Sequence, residues 1–297
     1  MALRADARDD GKNVELVAIE VLNGVVLGVI YALVAAGLTL IFGMLDIPNF
    51  AHGAFYALGA YVAYTAVVHA GFPLALVAAP IAVGILGLVV DALFIRRLAR
   101  AGHTYQILFT LGIVLIVQES IVLIWGANPT SVDIPASLQG GIALGLISFP
   151  YYRLFLVVVA AILIAAVWLG LERTKLGAII RAGIEDAEMV DAIGYDVQRL
   201  FTIVFGVGVA LAGIAGALIL PLRGGQPTMG NDLNAISFVV VVIGGLGSYA
   251  GAVVGGILVG LVQSLMSLVF PAADEVAIFV AMALVLLLRP QGLFGRR

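Results

Sequence analysis

Glu172-Arg173-Thr174-Lys175-Leu176-Gly177 begins, and Gly194-Tyr195-Asp196-Val197-Gln198-Arg199 ends, the stretch that decides the fold of this chain. Residues 172–199 hold ten of the chain's 33 Asp, Glu, Lys and Arg residues, whereas the flanking segments of more than twenty residues carry almost no charge. Because a charge at the centre of a bilayer costs at least about 2.5 kcal/mol, the stretch is predicted to be a water-exposed loop between two membrane spans.

This loop has a helical pattern of its own. Apolar residues recur every three or four positions, the spacing of one helix face, at Ile180, Ile184, Ala187, Val190 and Ile193. Acidic residues fall largely on the other faces, at Glu185, Asp186, Glu188 and Asp191. Gly194 is placed to end the helix, since glycine accepts the left-handed conformation beyond a helix C-terminus. We expect a short amphipathic helix at the membrane surface, with one face on the bundle and one available to a partner; a solvated connector is the alternative.

The composition is that of a polytopic membrane protein. The chain is 63% hydrophobic and only 11% charged, against about 25% charged residues in soluble domains. There is no cysteine, which excludes disulfide and thiol chemistry, and a net charge of -3 without a basic tract argues against nucleic acid as a partner. Residues 1–13 are polar and mixed in sign, so they are predicted to be a tail, followed by one transmembrane domain over 14–297.

The apolar segments predict an all-α bundle with about nine spans. A hydrocarbon core of about 30 Å needs about 20 helical residues. With that length, the spans fall at 19–43, 51–68, 73–95, 105–126, 150–171, 199–221, 234–247, 251–270 and 274–289. The seventh is short, so eight or ten spans fit the same pattern.

Basic residues orient the bundle, because they are enriched in cytoplasmic loops. A nine-span count places ten of them on one side: Arg96, Arg97, Arg100, Arg173, Lys175, Arg181, Arg199, Arg289, Arg296 and Arg297. That side is predicted to be the cytoplasm, with the N-terminus outside. The loop 44–50 would then be cytoplasmic without a basic residue, so the first two spans are the least secure.

The longest loop on the outer side is 127–149. Prolines and glycines exclude a helix there, at Pro129, Pro135, Gly140 and Gly141. We expect an irregular loop, and a lid or a docking surface is the alternative.

A polar interruption separates the first two spans, with the sequence Leu45-Asp46-Ile47-Pro48-Asn49-Phe50-Ala51-His52-Gly53. Pro48 has no amide hydrogen and disfavours helix at the residue before it, while Asn49 and His52 bring hydrogen-bonding groups to this depth. Irregular backbone within a membrane must be buried in protein or face a wet cavity. The interruption is either a broken segment lining a transport path or a tight cytoplasmic turn capped by Asn49. Glycine-interrupted places at 43–53 and 244–251 also fit a pair of broken helices.

Small residues four positions apart predict close helix packing. They occur at Gly247, Gly251 and Gly255, at Gly256 and Gly260, and at Ala212 and Gly216 with Gly213 between them. This pattern indicates a tight bundle and carries no information on chemistry.

Two acids lie within predicted spans, where an ionisable group is a functional candidate. Asp91 is close enough to Arg96 and Arg97 to pair with them. Glu119 lies deeper, beside Gln118 and Ser120, where it either contributes to a substrate pathway or is held neutral within the bundle.

Motifs of known catalytic sites are missing from the sequence, so an enzyme is not predicted. The chain has no Walker phosphate loop, no zinc-type His-Glu-x-x-His and no Gly-x-Ser-x-Gly elbow. With three histidines and no cysteine, a metal site is not expected either. If ATP drives transport, another chain must bind it.

Several motifs, taken in order, resemble one family. They are Asn23-Gly24 through Gly28, Tyr31-Ala32-Leu33 and Gly37-Leu38-Thr39-Leu40 to Gly43; Asn49-Phe50-Ala51-His52-Gly53; Thr174-Lys175-Leu176-Gly177, Ile180-Arg181-Ala182 and Gly194 followed by Asp196-Val197; Leu211 to Leu218; Val242 to Ser248 followed by Gly251-Ala252; and Pro290-Gln291-Gly292-Leu293-Phe294-Gly295. They are similar to the permease subunits of branched-chain amino acid ABC importers, in particular the Liv-type permease that is the shorter of the two usual partners. The match runs from about residue 20 to the end of the chain.

The resemblance implies a permease domain in the cell membrane that pairs with a second, homologous permease. Two ATPase subunits would dock on its cytoplasmic face and hold the ATP, an external binding protein would deliver substrate, and this chain would bind no cofactor. The loop 172–199 would be the coupling helix, with Glu188, Gly194 and Arg181 in ATPase coupling. Glu188 and Gly194 keep the family's six-residue spacing, but Met189 and Val190 replace its two alanines. Asn49 and His52 would line or support the path.

Our hypothesis from the sequence is a permease for branched-chain or related amino acids, driven by ATP hydrolysis on partner subunits. A permease for urea, short amides or other small polar solutes is one alternative. Others are an ion-coupled secondary transporter acting alone and a noncatalytic membrane scaffold.

Overall fold

The computed structural model describes residues 2–45, 49–98, 102–144 and 147–295 of the 297-residue chain. Six residues used in the sequence analysis lie outside these ranges: Asp46, Ile47, Pro48, Arg100, Arg296 and Arg297.

Helices form the fold, which confirms the predicted polytopic helix bundle. In chain order they are α1 (Ala2–Leu45), α2 (His52–Ala70), α3 (Phe72–Val90), α4 (Arg96–Leu98), α5 (His103–Trp125), α6 (Tyr151–Arg173), α7 (Lys175–Glu185), α8 (Ala187–Ala192), α9 (Val197–Arg223), α10 (Met229–Gly244), α11 (Tyr249–Val269) and α12 (Asp274–Leu288). A π-helical turn, Asp91–Ile95, joins α3 to α4.

Each predicted span corresponds to one helix or helical segment. Within the described residues, seven segments are long and apolar enough to cross a membrane, and the remaining two spans correspond to α2 and α10. The boundaries predicted for the seventh span were wrong, since α10 begins five residues before residue 234 and ends three before residue 247. The first turns of α10 were assigned to a loop because they contain polar residues, at Asn231, Asp232 and Asn234.

The most buried helices are α1 and α9. The hydrophobic face of α9 packs against α1, α2 and α3, while α5, α6 and α12 lie at the periphery with most of their surface exposed. The exposed residues of the peripheral helices are mostly apolar, as expected for helices that face lipid or another membrane subunit.

Glycines bring the inner helices into backbone contact. A Cβ atom at Gly260 of α11 would lie 2.2 Å from the amide nitrogen of Gly28 on α1. Similarly, a Cβ atom at Gly59 of α2 would lie 2.3 Å from the carbonyl oxygen of Gly213 on α9, and one at Gly216 of α9 would lie 2.1 Å from the carbonyl oxygen of Tyr56. Only residues without a side chain allow helix axes to approach this closely.

The glycines around α11 have two different roles. Gly251 lies against the backbone of Gly244, and Gly255 lies against the carbonyl oxygen of Val240, so both permit contact between α10 and α11. Gly247 instead lies in the turn between those helices, where its φ of +76° is a conformation that favours glycine.

The outer loop contains a β-hairpin, so the expectation of an irregular loop was wrong in part. Strands β1 (Gly141–Leu144) and β2 (Ile147–Pro150) pair antiparallel, with Ile142 opposite Phe149. The prolines and glycines excluded a helix, as argued above, but the short alternating segments between them are compatible with strands. Further back in the loop, Thr130 forms an antiparallel bridge with Gly225.

Substitution by alanine is predicted to have opposite effects at Gly260, which lies in the contact between α1 and α11, and at Gly112, which lies outside it. Gly260→Ala places a methyl group against immovable backbone, so the purified chain should lose about 1–3 kcal/mol of stability. Gly112→Ala in α5 is the matched control, because nothing lies within 4 Å of its Cβ position. It should gain about 0.5–1 kcal/mol from the lower chain entropy of alanine. Thermal unfolding in detergent measures both, and equal shifts would contradict this packing.

The predicted orientation in the membrane can be tested by labelling single introduced cysteines. The unaltered chain has no cysteine that would react. Ser137→Cys in the outer loop should react with a membrane-impermeant maleimide on intact cells. Lys175→Cys at the start of α7 should react only after the membrane is opened. Labelling of Lys175→Cys from outside would contradict the placement of α7 in the cytoplasm.

Candidate transport pathway

His52 fixes the depth at which α2 begins. Its Nε2 lies 3.0 Å from the carbonyl oxygen of Val34, and its ring packs against Gly37, both on α1. Since α1 continues to Leu45, and a helix rises 1.5 Å per residue, α2 starts about 12–16 Å before α1 ends. In a core of about 30 Å this start lies near half depth. The geometry favours a broken segment within the bundle over a turn at the cytoplasmic surface.

Asn49 and His52 are both buried beside this break. Asn49 Oδ1 accepts a hydrogen bond of 3.1 Å from the amide of Ala51. Among the described residues, Asn49 Nδ2 and His52 Nδ1 have no hydrogen-bond partner. A buried polar atom without a partner costs about 1–3 kcal/mol, so this break carries a local energetic cost.

Asn234 of α10 holds the break in place. Its side-chain Oδ1 accepts from the amide of Gly53 at 3.3 Å, and its Nδ2 donates to the carbonyl oxygen of Phe50 at 2.9 Å. The backbone of Gly53 contacts that of Gly230 so closely that a Cβ on either would collide with the other's carbonyl oxygen. The N-terminal ends of α2 and α10 therefore meet inside the bundle, and each brings the positive end of a helix dipole.

A cavity of about 370 Å³ lies between α1, α2, α9 and α10, on the outer side of this meeting point. Its lining residues are Leu27, Ile30, Tyr31, Tyr56, Ile219, Arg223, Gly224, Gln226, Met229, Asp232, Leu233 and Ile236. The size lies within the range of about 300–1,000 Å³ that is usual for small-molecule sites. Asn49, His52 and Glu119 are not among the lining residues, and their part in a substrate pathway stays a prediction.

Two charged residues of this cavity were not identified as site residues from the sequence. Arg223 ends α9 and Asp232 lies in the first turn of α10, and both side chains are exposed. The Arg223 guanidinium lies beside the hydroxyl of Tyr31. The available signal was a pair of opposite charges flanking the glycine-containing connection 224–228 between two apolar segments.

The acids within the spans lie in different environments. Asp91 is buried in the π-helical turn, where Thr202 of α9 donates to its Oδ2 at 2.5 Å. Arg96 donates to the same Thr202 hydroxyl and to the carbonyl oxygen of Gln198. This network fastens the C-terminal end of α3 to the N-terminal end of α9. Glu119 is exposed on α5, and its part in a substrate pathway stays a prediction.

The charged loop forms two helices rather than the single one predicted. Asp186 separates α7 from α8 and caps α8 by accepting a hydrogen bond of 2.9 Å from the amide of Met189. Of the five apolar residues predicted on one inward face, Val190 is buried and Ile180 half-buried, whereas Ile184, Ala187 and Ile193 are exposed. The interruption at Asp186 breaks the continuous helical face that the sequence pattern assumed.

Gly194 ends α8 as predicted, with a φ of +100°. The amide of Gly194 donates to Asp191, and the amide of Tyr195 donates to Val190, which is the Schellman arrangement of a helix end. Nothing lies within 4 Å of the Gly194 Cβ position, so backbone conformation rather than packing requires glycine here.

Arg181 anchors this pair of helices to the end of α6. Its guanidinium donates to the carbonyl oxygen of Leu171 and lies 3.8 Å from a carboxylate oxygen of Glu172. Gly177 packs on the same turn of α6, and Thr174 caps α7. Glu188 lies exposed in the first turn of α8. The helix pair α7–α8 (the module) is therefore held firmly where it meets the bundle. Its face away from the bundle is exposed.

The bridge made by Asn234 predicts a selective loss of stability. Asn234→Ala leaves the amide of Gly53 and the carbonyl of Phe50 without their partner, at a cost of about 1–3 kcal/mol for each group. Asn231→Ala, one turn earlier and exposed, is the matched control and should change stability by less than about 0.5 kcal/mol. Thermal unfolding of the purified chain compares the two, and similar melting temperatures would contradict the bridge.

Comparison with known proteins agrees with this architecture. The family model described as a branched-chain amino acid transport system permease component matches residues 20–288. The high-affinity branched-chain amino acid transport permease BraD of Pseudomonas aeruginosa is 29% identical, over 93% of this chain and 95% of the relative. LivH of Escherichia coli K12 is 28% identical over the same shares, and the probable LivH of Methanocaldococcus jannaschii is 28% identical over 89% of this chain and 88% of the relative.

The family model covers far more than half of the chain, and the relatives are similar along nearly their whole length. The helices observed here, with their apolar segments and buried glycine contacts, are what such a multi-pass protein of the inner membrane requires. The chain therefore belongs to the family of branched-chain amino acid ABC transporter permease components.

Proposed function

We propose that this chain is one permease subunit of an importer for branched-chain or related amino acids, with ATP hydrolysed on two partner subunits. The relatives' names supply the substrate class, since BraD and LivH are named for branched-chain amino acid transport. A second permease and an external binding protein complete the proposed assembly.

The observation that carries this proposal is the module α7–α8 on the cytoplasmic side. Its exposed face presents apolar side chains that the bundle does not cover, with Met189 61% and Ile193 69% exposed. Large apolar groups on a firmly anchored surface are typical of a protein–protein contact. We place the ATPase contact on this face, with Glu188 at its edge and Gly194 fixing its direction.

A second permease subunit is supported by the outer surface of α5. Glu119 is exposed on that helix six residues before its end, which places the carboxyl group about 9 Å inside Trp125. Its exposed neighbours Leu115, Ile116 and Leu123 are apolar. An acid facing lipid at this depth is costly, so a partner surface with polar groups is the better environment for it.

The substitution of exposed apolar residues on α8 tests the ATPase contact. Met189→Glu with Ile193→Glu should lower the affinity for the ATPase subunits at least about tenfold, because the contact would have to desolvate two charges. Neither residue is packed in the bundle, so the melting temperature of the chain should not change. Co-purification and quantitative binding of the ATPase subunits measure the effect.

The matched control is Ile142→Glu, an exposed apolar residue on the outer hairpin that cytoplasmic subunits do not reach. Full ATPase binding and full amino acid-stimulated hydrolysis in the α8 double variant would remove the coupling role of the module. ATP-dependent uptake of leucine by the assembled transporter in proteoliposomes tests the substrate class separately.

A further inference from the structure

The cavity between α1, α2, α9 and α10 carries a more specific inference, which rests on the proposed amino acid transport. We propose that this cavity is a binding site for a zwitterionic α-amino acid, with Arg223 receiving the carboxylate, Asp232 the ammonium group and the aliphatic wall the side chain. The site would hold substrate within the permease itself, after its delivery from outside.

The two charges of the cavity are available to a ligand. Arg223 and Asp232 both line it, and no ion pair within 4 Å joins them in the described part of the chain. Arg223 lies near the hydroxyl-bearing rings of Tyr31 and Tyr56, which do not neutralise it. Asp274 also acts on Tyr31, but it forms no ion pair with Arg223 within 4 Å in the described part of the chain. Opposite charges that face one cavity without pairing match the two charges of a zwitterion.

The end of the cavity that would receive the carboxylate has a second source of positive potential besides Arg223. Met229, the first residue of α10, lines the cavity, and the preceding Thr228 does not cap the helix with its side chain. The amides of Met229 and Asn231 donate to the carbonyl oxygens of Gln226 and Thr228, so this 16-residue helix adds to the charge of Arg223 through its dipole. Asp232 lies in the same first turn and supplies the negative partner for the ammonium group.

One part of the wall is aliphatic, beside Tyr31, Tyr56 and Gln226. Five branched side chains line it: Leu27, Ile30, Ile219, Leu233 and Ile236. An apolar amino acid side chain would bury its surface there, at about 25 cal/mol per Å². A sugar or urea would leave both charges unpaired and place polar groups against this wall, so the cavity disfavours such uncharged polar solutes.

The rim of the cavity is held at the outer end of the bundle. Gly225, next to the lining residue Gly224, exchanges backbone hydrogen bonds of 2.9 and 2.7 Å with Thr130 of the outer loop. The hydroxyl of Tyr61 on α2 donates to the carbonyl oxygen of Gly225 at 3.3 Å. The outer loop is thus fastened to the edge through which an amino acid from outside would enter.

Direct binding tests the site in the full chain reconstituted in nanodiscs, with radiolabelled L-leucine as the ligand. Arg223→Gln and Asp232→Asn should each weaken leucine binding about tenfold or more, because each removes a charge-assisted hydrogen bond. Asp133→Asn in the outer loop, an exposed acid that does not line the cavity, is the matched control and should bind as the unaltered chain does. Melting temperatures of all variants separate lost binding from lost folding.

Competition by leucine analogues that lack one of its two charges gives a second readout. A purely structural role of Arg223 and Asp232 would not change it. Leucinamide lacks the carboxylate, and 4-methylpentanoate lacks the ammonium group, so both should compete weakly in the unaltered chain. Arg223→Gln should abolish the preference for leucine over leucinamide, and Arg223→Lys should retain it. Asp232→Asn should abolish the preference for leucine over 4-methylpentanoate.

Two results would overturn the site: no leucine binding by the unaltered chain, or unchanged leucine binding in both charge variants. Leucine uptake by the assembled transporter distinguishes a failure of the proposed binding site from a failure of the proposed function. ATP-driven leucine uptake with unchanged binding in both variants would leave the function standing and remove the site. Selective leucine binding in the nanodisc, lost in both charge variants, would support the site even if the assembled transporter moved no leucine and the function had to be revised.

Discussion

The need to satisfy backbone polar groups within a membrane governs the centre of this structure. Residues 49–51 are not helical although they lie near half depth, where the hydrocarbon core offers no water to their amide and carbonyl groups. Helix α1 supplies a carbonyl oxygen to His52, and Asn234 of α10 serves both Phe50 and Gly53. The break therefore exists only because α1 and α10 enclose it, and the cavity above it depends on the same enclosure.

Close backbone contact is the second condition for this arrangement. Asn234 reaches the break only because Gly53 and Gly230 let α2 and α10 touch backbone to backbone. Two helix N-termini, each with a partial positive charge, then lie together inside the protein. Such an arrangement favours a nearby negative group, and transporter sites at broken helices use this effect. In this chain the cavity begins where the two helices meet, so the fold itself places positive potential at its floor.

Sequence patterns predicted the parts of this fold that depend on local properties. Hydropathy located the spans, charge located the module α7–α8, and Gly194 was recognised because a single residue's conformation ends the helix. The depth of His52 in the membrane was not predictable. Hydropathy indicates how long a span is, but it does not indicate how deep in the membrane the span begins. The cavity was missed for a related reason: Tyr31 and Tyr56 are distant in the chain from Arg223 and Asp232, and only tertiary packing brings them together.

Helix α9 physically links the helix pair α7–α8 to the cavity. Its 27 residues span about 40 Å, and its first turns are fastened to the module by Phe201 against Gly183 and to α3 by Thr202. Its last turns carry Ile219 and Arg223 into the cavity wall. Where α9 crosses α1 and α2, glycines bring the backbones together, and buried side chains such as Leu211 and Leu218 pack with Leu33 and Tyr56 in one core cluster. If α8 binds an ATPase and the cavity holds an amino acid, as proposed, a displacement of α8 would reach Arg223 and the cavity wall through this one helix.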